Sequence, residues 1–343
     1  MIMNTQSLLE AVNQICLNRG IDPKDVFDAL KEALQEAYKQ EHPKADVHVD
    51  VNDKAGEIHI YVRKTVVENV KNPDTEISKQ NAQNYVKDIK TGAVLEIEIP
   101  IGSLGRIAAN ATKRVLNKIL RDAELKAIAE HYAQHIDEIT SGKILFVRPD
   151  KIIVELEKGN AEFPEQEQIP DEFYDLGKRY KFLIKEVINE KYNRKIILSR
   201  KDPKFIIALF KLEVPELRKG QVDIVAIARE PGIRTKVAVK SLDTSLDPIG
   251  TLVGPKGMRI SSVMQELPNE SIDVIKWDAS PSTFIANALS PAKVSNVKIQ
   301  DKGKKAIVEV SEDQYEIALG KNGINVKLAE EVTGYTIDIK KTK

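Results

Sequence analysis

A short glycine pattern occurs twice in the chain, as Gly254-Pro-Lys-Gly257 and as Gly320-Lys-Asn-Gly323. Each copy stands between two apolar stretches with helical spacing, so the sequence predicts a helix, a tight turn and a second helix. Glycines let a backbone approach a ligand closely, and the first N–H groups of a helix are free to donate to a phosphate. Such a turn can hold the backbone of a single-stranded nucleic acid. A duplicated nucleic-acid clamp is therefore the leading hypothesis.

The order of predicted elements is the same around both turns. Asp202-Pro203 begins the first series and Ser280-Pro281 the second, because proline suits the first helical position after a capping residue. Each series then reads helix, strand, strand, helix, GxxG turn, helix and strand. This order resembles the bacterial-type (type II) KH domain, and we expect two such domains at residues 202–279 and 280–343. One GxxG is weak support in a chain with 17 glycines, whereas the repeated order is specific.

Between residues 142 and 200 the pattern changes to five short apolar runs separated by turn residues. Five short strands in about 60 residues are typical of an OB barrel, a fold that often binds single-stranded nucleic acid. The first run resembles the start of an S1-type domain, which we expect at residues 138–201. Asp150 and Ile153 stand where that family often has stacking aromatics. Candidate RNA contacts on this barrel are Lys143, Phe146, Arg148, Lys191, Arg194 and Lys195. The alternatives are a place in the core for Phe146 and a solvated edge for the cations.

The first third of the chain predicts an α+β domain that ends in a long helix, and we expect it at residues 1–137. No Gly or Pro occurs between Arg106 and Ser141, and apolar residues recur there on one helical side. A basic set follows this helix, consisting of Arg106, Lys113, Arg114, Lys118 and Arg121. It is either a solvated face or a docking face for a protein or nucleic acid.

The composition limits the classes of function. The 343 residues include 52 Lys plus Arg and 52 Asp plus Glu, so nucleic-acid contacts must be local. The only cysteine, Cys16, excludes an intrachain disulfide, and the polar start lacks the regions of a signal peptide. No apolar run is long enough to cross a bilayer. We expect a cytoplasmic protein that does not associate with membranes.

Patterns that would support catalysis are weak. His131 and His135 have a spacing that could hold zinc, but a metalloprotease glutamate and a third ligand are missing nearby. The glycines between residues 250 and 257 do not have the spacing of a phosphate-binding P-loop. The sequence therefore predicts no enzyme, no cofactor and no metal.

The whole chain resembles the NusA family of bacterial transcription elongation, termination and antitermination factors. The resemblance covers an α+β domain, a long helix, an S1-type barrel and two KH domains in that order, so the expected fold class is multidomain α+β. Its most specific stretches are residues 104–114, 212–217, 247–257, 272–277, 287–292 and 318–323. The resemblance implies binding to RNA polymerase and to nascent single-stranded RNA, with effects on pausing, intrinsic termination and antitermination. It also implies other Nus factors as partners, and we expect a monomer.

The resemblance extends to single residues. It assigns RNA binding to the turns and the helices that leave them, at Gly254, Lys256, Gly257, Arg259, Gly320, Lys321, Gly323, Asn325 and Lys327. Arg106 and Lys113 are candidates for the face that meets polymerase or the RNA exit channel. Two positions depart from the family pattern, because Pro255 has no N–H to donate and Asn322 stands where relatives can have a cation.

Two other classes of function remain open from sequence. KH and S1-type domains also suit a general single-stranded RNA-binding module in ribosome assembly or RNA turnover. The balanced charge also permits a protein-interaction scaffold whose KH surfaces no longer bind RNA. RNA titration separates the scaffold from the other two, and co-elution with polymerase separates the RNA module from the transcription factor.

Overall fold

The computed structural model describes residues 23–52, 57–190, 193–243, 245–267, 269–300 and 304–342. The chain divides into two compact units, Met1–Ala127 and Ile128–Lys343. The helix predicted near residues 6–18, which includes Cys16, lies outside the described residues. Among the described helices, none is long and apolar enough to cross a membrane.

The first unit contains a small mixed sheet with helices packed on one face. Its elements are α1 (Pro23–Glu41), β1 (Asp46–Asn52), β2 (Glu57–Val67), β3 (Glu76–Ser78), α2 (Lys79–Ala82), β4 (Val94–Ile99) and the beginning of α3 (Ile101–Ala133). Strand β2 pairs with β1, β3 and β4. Alternation along β1 buries Val47 and Val49 and exposes His48 between them. These valines pack against Leu30 and Leu34 of α1 and Ala111 of α3 in one core.

The second unit begins with a closed five-stranded barrel in the order β5-β6-β7-β9-β8. Its strands are β5 (Ile139–Val147), β6 (Lys151–Glu155), β7 (Asn160–Pro164), β8 (Arg179–Glu190) and β9 (Asn193–Ser199). The barrel interior is aromatic, with the Phe163 ring 5.0 Å from both Phe182 and Tyr174. Tyr132, near the end of α3, is buried in the same core, and its hydroxyl accepts from the Lys158 N–H at 3.2 Å.

Two repeats of the predicted helix and strand order follow the barrel. The first consists of α4 (Pro203–Glu213), α5 (Pro215–Arg218), β10 (Val222–Glu230), β11 (Arg234–Ser241), α6 (Pro248–Val253), α7 (Met258–Gln265) and β12 (Ser271–Lys276). The second consists of α8 (Pro281–Ala288), β13 (Val294–Gln300), β14 (Lys305–Val310), α9 (Glu312–Leu319), α10 (Ile324–Thr333) and β15 (Thr336–Lys341). In both sheets the first two strands are antiparallel and the last two are parallel. The Asp202 side chain caps α4 by accepting from the Lys204 N–H, as the sequence predicts.

The barrel meets the first repeat through buried arginines. Arg229 and Glu270 have fully buried side chains and form a two-bonded ion pair, with both bonds at 2.8 Å. Arg229 also donates to the carbonyls of Arg200 and Asp202 at the end of the barrel. Arg200 in turn donates to Glu172 in the barrel and to a carbonyl of the first repeat. Four polar side chains and backbone carbonyls therefore fix this junction.

The two repeats share a core. On β11, Val237 and Val239 pack on the helices of the first repeat, whereas Ala238 between them packs on the second. The first sheet therefore has both faces covered. Lys236 is buried at the same junction and donates to Asp273 at 3.0 Å and to the Ser290 carbonyl at 2.9 Å. Burial lowers the pKa of Lys236 below its usual value.

Trp277 lies where β12 leads into the second repeat. Its ring is 6.5 Å from Phe284 of α8, and the Lys240 ammonium lies 4.9 Å from the ring centroid. Trp277 is only partly buried, and it packs against the core that the two repeats share. The indole therefore belongs to the junction between the repeats.

Candidate nucleic-acid interface

The two GxxG turns have the same backbone conformation. Gly254 and Gly320 have φ of 73° and 72°, with ψ of 173° and 169°. Gly257 and Gly323 both have φ of 74°, with ψ of 14° and 11°. The first glycine of each turn ends one helix and the last begins the next. Positive φ is accessible to glycine without strain, which explains the residue type at both ends of each turn.

The third residue of each turn is also left-handed, although it is not glycine. Lys256 has φ of 50° and Asn322 has φ of 55°. Asparagine tolerates this region, whereas lysine adopts it at a strain of about 1 kcal/mol. Lys256 and Lys321 are exposed, and neither forms an ion pair within the described part of the chain. Each turn therefore presents one unneutralised cation, at the third position in the first turn and at the second position in the other.

The glycines of each turn differ in the space around them. A Cβ on Gly254 would lie 2.7 Å from the Arg259 side chain, and one on Gly320 would lie 2.6 Å from the Asn325 Cβ. At Gly257 and Gly323, no heavy atom lies within 4 Å of the position that a Cβ would take. The first glycine of each turn is therefore needed for packing against the next helix, and the last glycine leaves open space in front of the turn.

Backbone N–H groups of the second turn are partly used by the turn itself. Gly320 donates to Glu316, Gly323 donates to Gly320, and Ile324 donates to Lys321. The first turn has the equivalent bonds, but Pro255 has no N–H. The second turn therefore has one more backbone N–H that can reach a phosphate than the first.

Arg259 and Asn325 occupy equivalent positions, five residues after the first glycine of each turn. Asn325 is fully buried, and its amide donates to the carbonyls of Leu289, Ile317 and Ala318. Its Oδ1 is buried without a hydrogen-bond partner among the described residues. The direct RNA contact predicted for Asn325 is therefore not supported, because no polar atom of its side chain is accessible. Asn325 instead ties the end of α9 to α10 and α8.

Arg259 has a comparable position in the first turn. It donates to the Thr251 carbonyl at 2.8 Å and forms a two-bonded contact with Glu216, at 3.0 and 3.2 Å. Its side chain is about one quarter exposed, at 27%. The structure therefore uses the guanidinium to hold α7 against α5 and α6, which leaves it little freedom to follow an RNA strand.

We expect Asn325→Ala to lower the free energy of unfolding by about 2 kcal/mol, because the buried carbonyls of Leu289 and Ala318 and the partly buried carbonyl of Ile317 would lose the amide that donates to them. Urea unfolding of the full chain measures this change. Asn296→Ala is the matched control, since Asn296 is exposed and makes one bond to Glu309 at 3.2 Å. Equal effects of the two substitutions would contradict a stabilising role of the Asn325 amide.

Lys327 lies on α10, four residues after Gly323, and connects the two repeats. Its ammonium is 2.6 Å from Glu230 at the end of β10, with side chains 63% and 35% exposed. The hydrogen bond to Glu230 raises the pKa of Lys327. Glu230 therefore competes with any phosphate that approaches Lys327.

We expect Glu230→Gln to strengthen single-stranded RNA binding by about twofold. The phosphate would no longer compete with Glu230 for Lys327, and the free energy of an exposed ion pair of this kind is small. Mobility-shift titration at fixed salt measures the affinity. The same substitution in a Lys327→Ala background should have no effect. A strengthening that persists without Lys327 would show that the cation is not the group released.

The barrel candidates lie on two faces. A β-bulge between Ile144 and Phe146 shifts the alternation of β5, so that Lys143 and Phe146 face outward together. Phe146 is 60% exposed, which excludes the core position that sequence left open. Arg148 is exposed just beyond β5. The remaining candidates lie elsewhere, at β9 for Arg194 and Lys195, and outside the described residues for Lys191.

Two of these cations already have partners in the barrel. Lys195 lies 3.5 Å from Glu162, and Arg194 donates to the Asn189 side chain at 3.0 Å. Lys143 and Arg148 have no ion pair within the described part of the chain. The outer face of β5 and the residue that follows it therefore combine one exposed aromatic ring with two cations that have no ion pair among the described residues.

The candidates of the first unit lie on α3. Arg106 and Lys113 are seven residues apart, which is close to two helical turns and places both positions on one face. The Lys113 side chain is exposed, as are Arg114 and Lys118. Separately, no group of three His, Cys, Asp or Glu side chains in the described residues could hold a metal ion.

Comparison of the sequence with known proteins identifies its domains. Family models described as the NusA-like first KH domain and the NusA-like second KH domain match residues 200–277 and 281–343. A family model of the NusA N-terminal domain matches residues 7–126. The transcription termination/antitermination protein NusA of Thermus thermophilus is 38% identical over 346 residues, covering 97% of this chain and 89% of that relative. The chain belongs to the NusA family.

A second NusA protein is similar over a comparable length. That of Bacillus subtilis is 37% identical over 337 residues, covering 98% of this chain and 91% of that relative. The solution structure of the N-terminal domain of NusA from B. subtilis is 34% identical and covers 35% of this chain and 98% of that one, with a TM-score of 0.28. The predicted resemblance to the NusA family and the two tandem KH domains are confirmed.

Some residues of the candidate interface could not be identified from sequence. Glu230 and Glu216 are 97 and 43 residues from the cations they bind, and no local pattern connects them. The positioning role of Arg259 and Asn325 did have a signal, because both stand at the same offset from the first glycine. Their polar side chains suggested RNA contact instead, since burial is not visible in a single sequence.

Proposed function

We propose that this NusA-family chain is a transcription factor that binds RNA polymerase and nascent single-stranded RNA, and that it modulates pausing, intrinsic termination and antitermination. The observation that carries the proposal is the pair of GxxG turns with the same left-handed backbone, each with an unpaired lysine and open space before its last glycine. The names of the relatives, transcription termination/antitermination protein NusA, support the same activity.

RNA binding is assigned to the two KH turns. The contacting residues are Gly254, Lys256, Gly257, Gly320, Lys321, Gly323 and Lys327, and Arg259 and Asn325 position the helices behind them. Backbone N–H groups and lysines contact phosphates, which are present in every RNA sequence. The two clamps therefore contribute to affinity more than to sequence preference. The domains are taken as residues 1–137, 138–201, 202–279 and 280–343.

The barrel is proposed to be an S1-type OB domain that adds RNA contacts. Its closed five-stranded topology and the outward Lys143, Phe146 and Arg148 on and after β5 support this role. Phe146 could stack on one base, because an exposed aromatic ring accepts any base face. Arg194, Lys195 and Lys191 complete the proposed basic set of the barrel.

Polymerase binding is assigned to the first unit, with Arg106 and Lys113 on α3 at the face that meets polymerase or exiting RNA. Other Nus factors are proposed as further partners of a cytoplasmic monomer. No catalytic role is assigned to any residue. Tethering explains how weak clamps could act, since a chain held on polymerase meets the emerging transcript at a high effective concentration.

Pause lifetime at a hairpin-dependent site on purified bacterial RNA polymerase tests the proposal. The chain is expected to lengthen the pause, and a folded Gly257→Asp/Gly323→Asp variant is expected to lengthen it less. If the parent chain binds RNA but leaves the pause unchanged with a matched polymerase, the general RNA-binding module replaces the transcription factor as the best account.

A further inference from the structure

The loop between β7 and β8 displays two apolar side chains to solvent. Phe173 is 86% exposed and Leu176 is 65% exposed, and Phe173 is the most exposed large apolar side chain of the described residues. A single exposed apolar residue needs no explanation. Here, however, the surrounding contacts hold the loop in one conformation with both side chains outward.

The residues on either side of Phe173 are anchored inside. Glu172 accepts from Arg200 Nε at 3.0 Å and Nη2 at 2.6 Å, and the Arg200 side chain is only 1% exposed. Tyr174 packs edge-to-face on Phe163, and burial raises its pKa well above the usual value. Glu172 and Tyr174 are half-buried, and Phe173 between them is exposed. Anchoring Glu172 and Tyr174 therefore turns Phe173 outward.

The backbone around Leu176 is fixed in the same way. The Tyr180 hydroxyl accepts from the Asp175 N–H at 3.1 Å and donates to the Phe173 carbonyl at 3.4 Å. Gly177 donates its N–H to the Ile144 carbonyl of β5 at 2.9 Å. Because these contacts already order the loop, the loop would lose little conformational entropy when a partner covers both side chains.

The charge of this loop opposes RNA. Residues 165–178, which connect the two strands, contain five carboxylates and one cation, Lys178. Glu167, Glu172 and Asp175 are paired with Lys185, Arg200 and Lys178. Glu165 and Asp171 are exposed and have no ion pair within the described part of the chain, so the unpaired charge of the loop is negative. A phosphate backbone would be repelled here, and a cationic protein surface would be attracted.

From this we infer that Phe173 and Leu176 form a docking element for a protein surface in which an apolar pocket is bordered by lysine or arginine. RNA polymerase is the partner to which we assign that surface. This assignment rests on the proposed function, in which the chain and polymerase belong to one complex. A contact from the second unit would add to that of the first unit and raise the effective concentration of the RNA clamps.

Binding of the full chain to purified bacterial core RNA polymerase, measured by biolayer interferometry, tests this inference. Phe173→Ser/Leu176→Ser is expected to bind about tenfold more weakly, because truncating apolar anchors at the centre of an interface has effects of this size. Asp171→Asn is expected to bind about twofold more weakly at low salt. Asparagine suits this position, since Asp171 has φ of 61°.

Leu242→Ser is the matched control, because Leu242 is a comparably exposed leucine, at 62%, in the first KH domain. It should leave polymerase affinity unchanged, and the loop variants should keep the parental melting temperature and RNA affinity. The inference is overturned if the loop variants bind polymerase as well as the parent does, or if they lose RNA binding or self-association instead. A parent chain that does not bind polymerase would refute the proposed function itself, which is a separate result.

Discussion

Gly257→Asp/Gly323→Asp is expected to bind single-stranded RNA at least about tenfold more weakly than the parent chain, because like charges brought together at an interface oppose binding by several kcal/mol. Each carboxylate would occupy the open space in front of a turn, where a phosphate is proposed to lie. Neither new Cβ meets a heavy atom within 4 Å. The fold should therefore survive, with a left-handed strain of about 1 kcal/mol at each position. Mobility-shift titration at fixed salt measures the affinity.

Gly334→Asp provides the matched control for this variant. Gly334 ends α10 in the same left-handed conformation, with φ of 70°, and also has open space around its Cβ position. It therefore introduces the same residue and the same strain away from the turns. RNA binding should be close to parental. Equal losses in the control and in the double variant would mean that backbone strain or total charge, and not the clamp, explains the effect.

Arg229→Met is expected to lower the free energy of unfolding of the second unit by about 3–5 kcal/mol, which is the usual result of removing one member of a buried ion pair. Glu270 would remain buried with the Gly232 N–H at 2.9 Å and the Thr235 hydroxyl as its donors. The carbonyls of Arg200 and Asp202 would also lose a donor. Urea unfolding and thermal melting of the full chain measure the loss.

Lys298→Met is the corresponding surface control. Lys298 lies 2.6 Å from Glu309, but its side chain is 62% exposed, so water can replace the partner. Its stability should be close to parental. The double variant Arg229→Met/Glu270→Met adds a second comparison, because replacing both charges by apolar groups is often much less harmful than removing one. If Arg229→Met alone were as stable as the parent, the junction would not depend on this ion pair.

Local patterns in the sequence were sufficient to predict the repeated helices, strands and turns. Proline after a capping residue marked the start of α4, and the paired glycines marked both turns, because each signal acts within a few residues. The closed barrel also agrees with the five predicted strands. The place of Phe146 could not be decided, because the β-bulge that turns it outward depends on the pairing of β5 with β6.

Contacts between distant residues were not predictable in the same way. Arg229 and Glu270 are 41 residues apart, and nothing in either local sequence distinguishes them from solvated charges. Ala238 gives no sign that it packs on the second KH domain, since alanine is common in any environment. The burial of Asn325 was not predictable for the same reason, because an asparagine after a glycine turn suits a surface as well as a core.

The position of Trp277 gives the unlabelled protein an internal optical probe. It is the only tryptophan among the 343 residues, so emission excited at the red edge of absorption comes from this indole alone. Partial burial and the nearby Lys240 ammonium make its spectrum sensitive to local water and charge. Separation of the two KH domains would bring water to the ring and shift the emission to longer wavelength. Stopped-flow mixing can therefore time that movement without any dye.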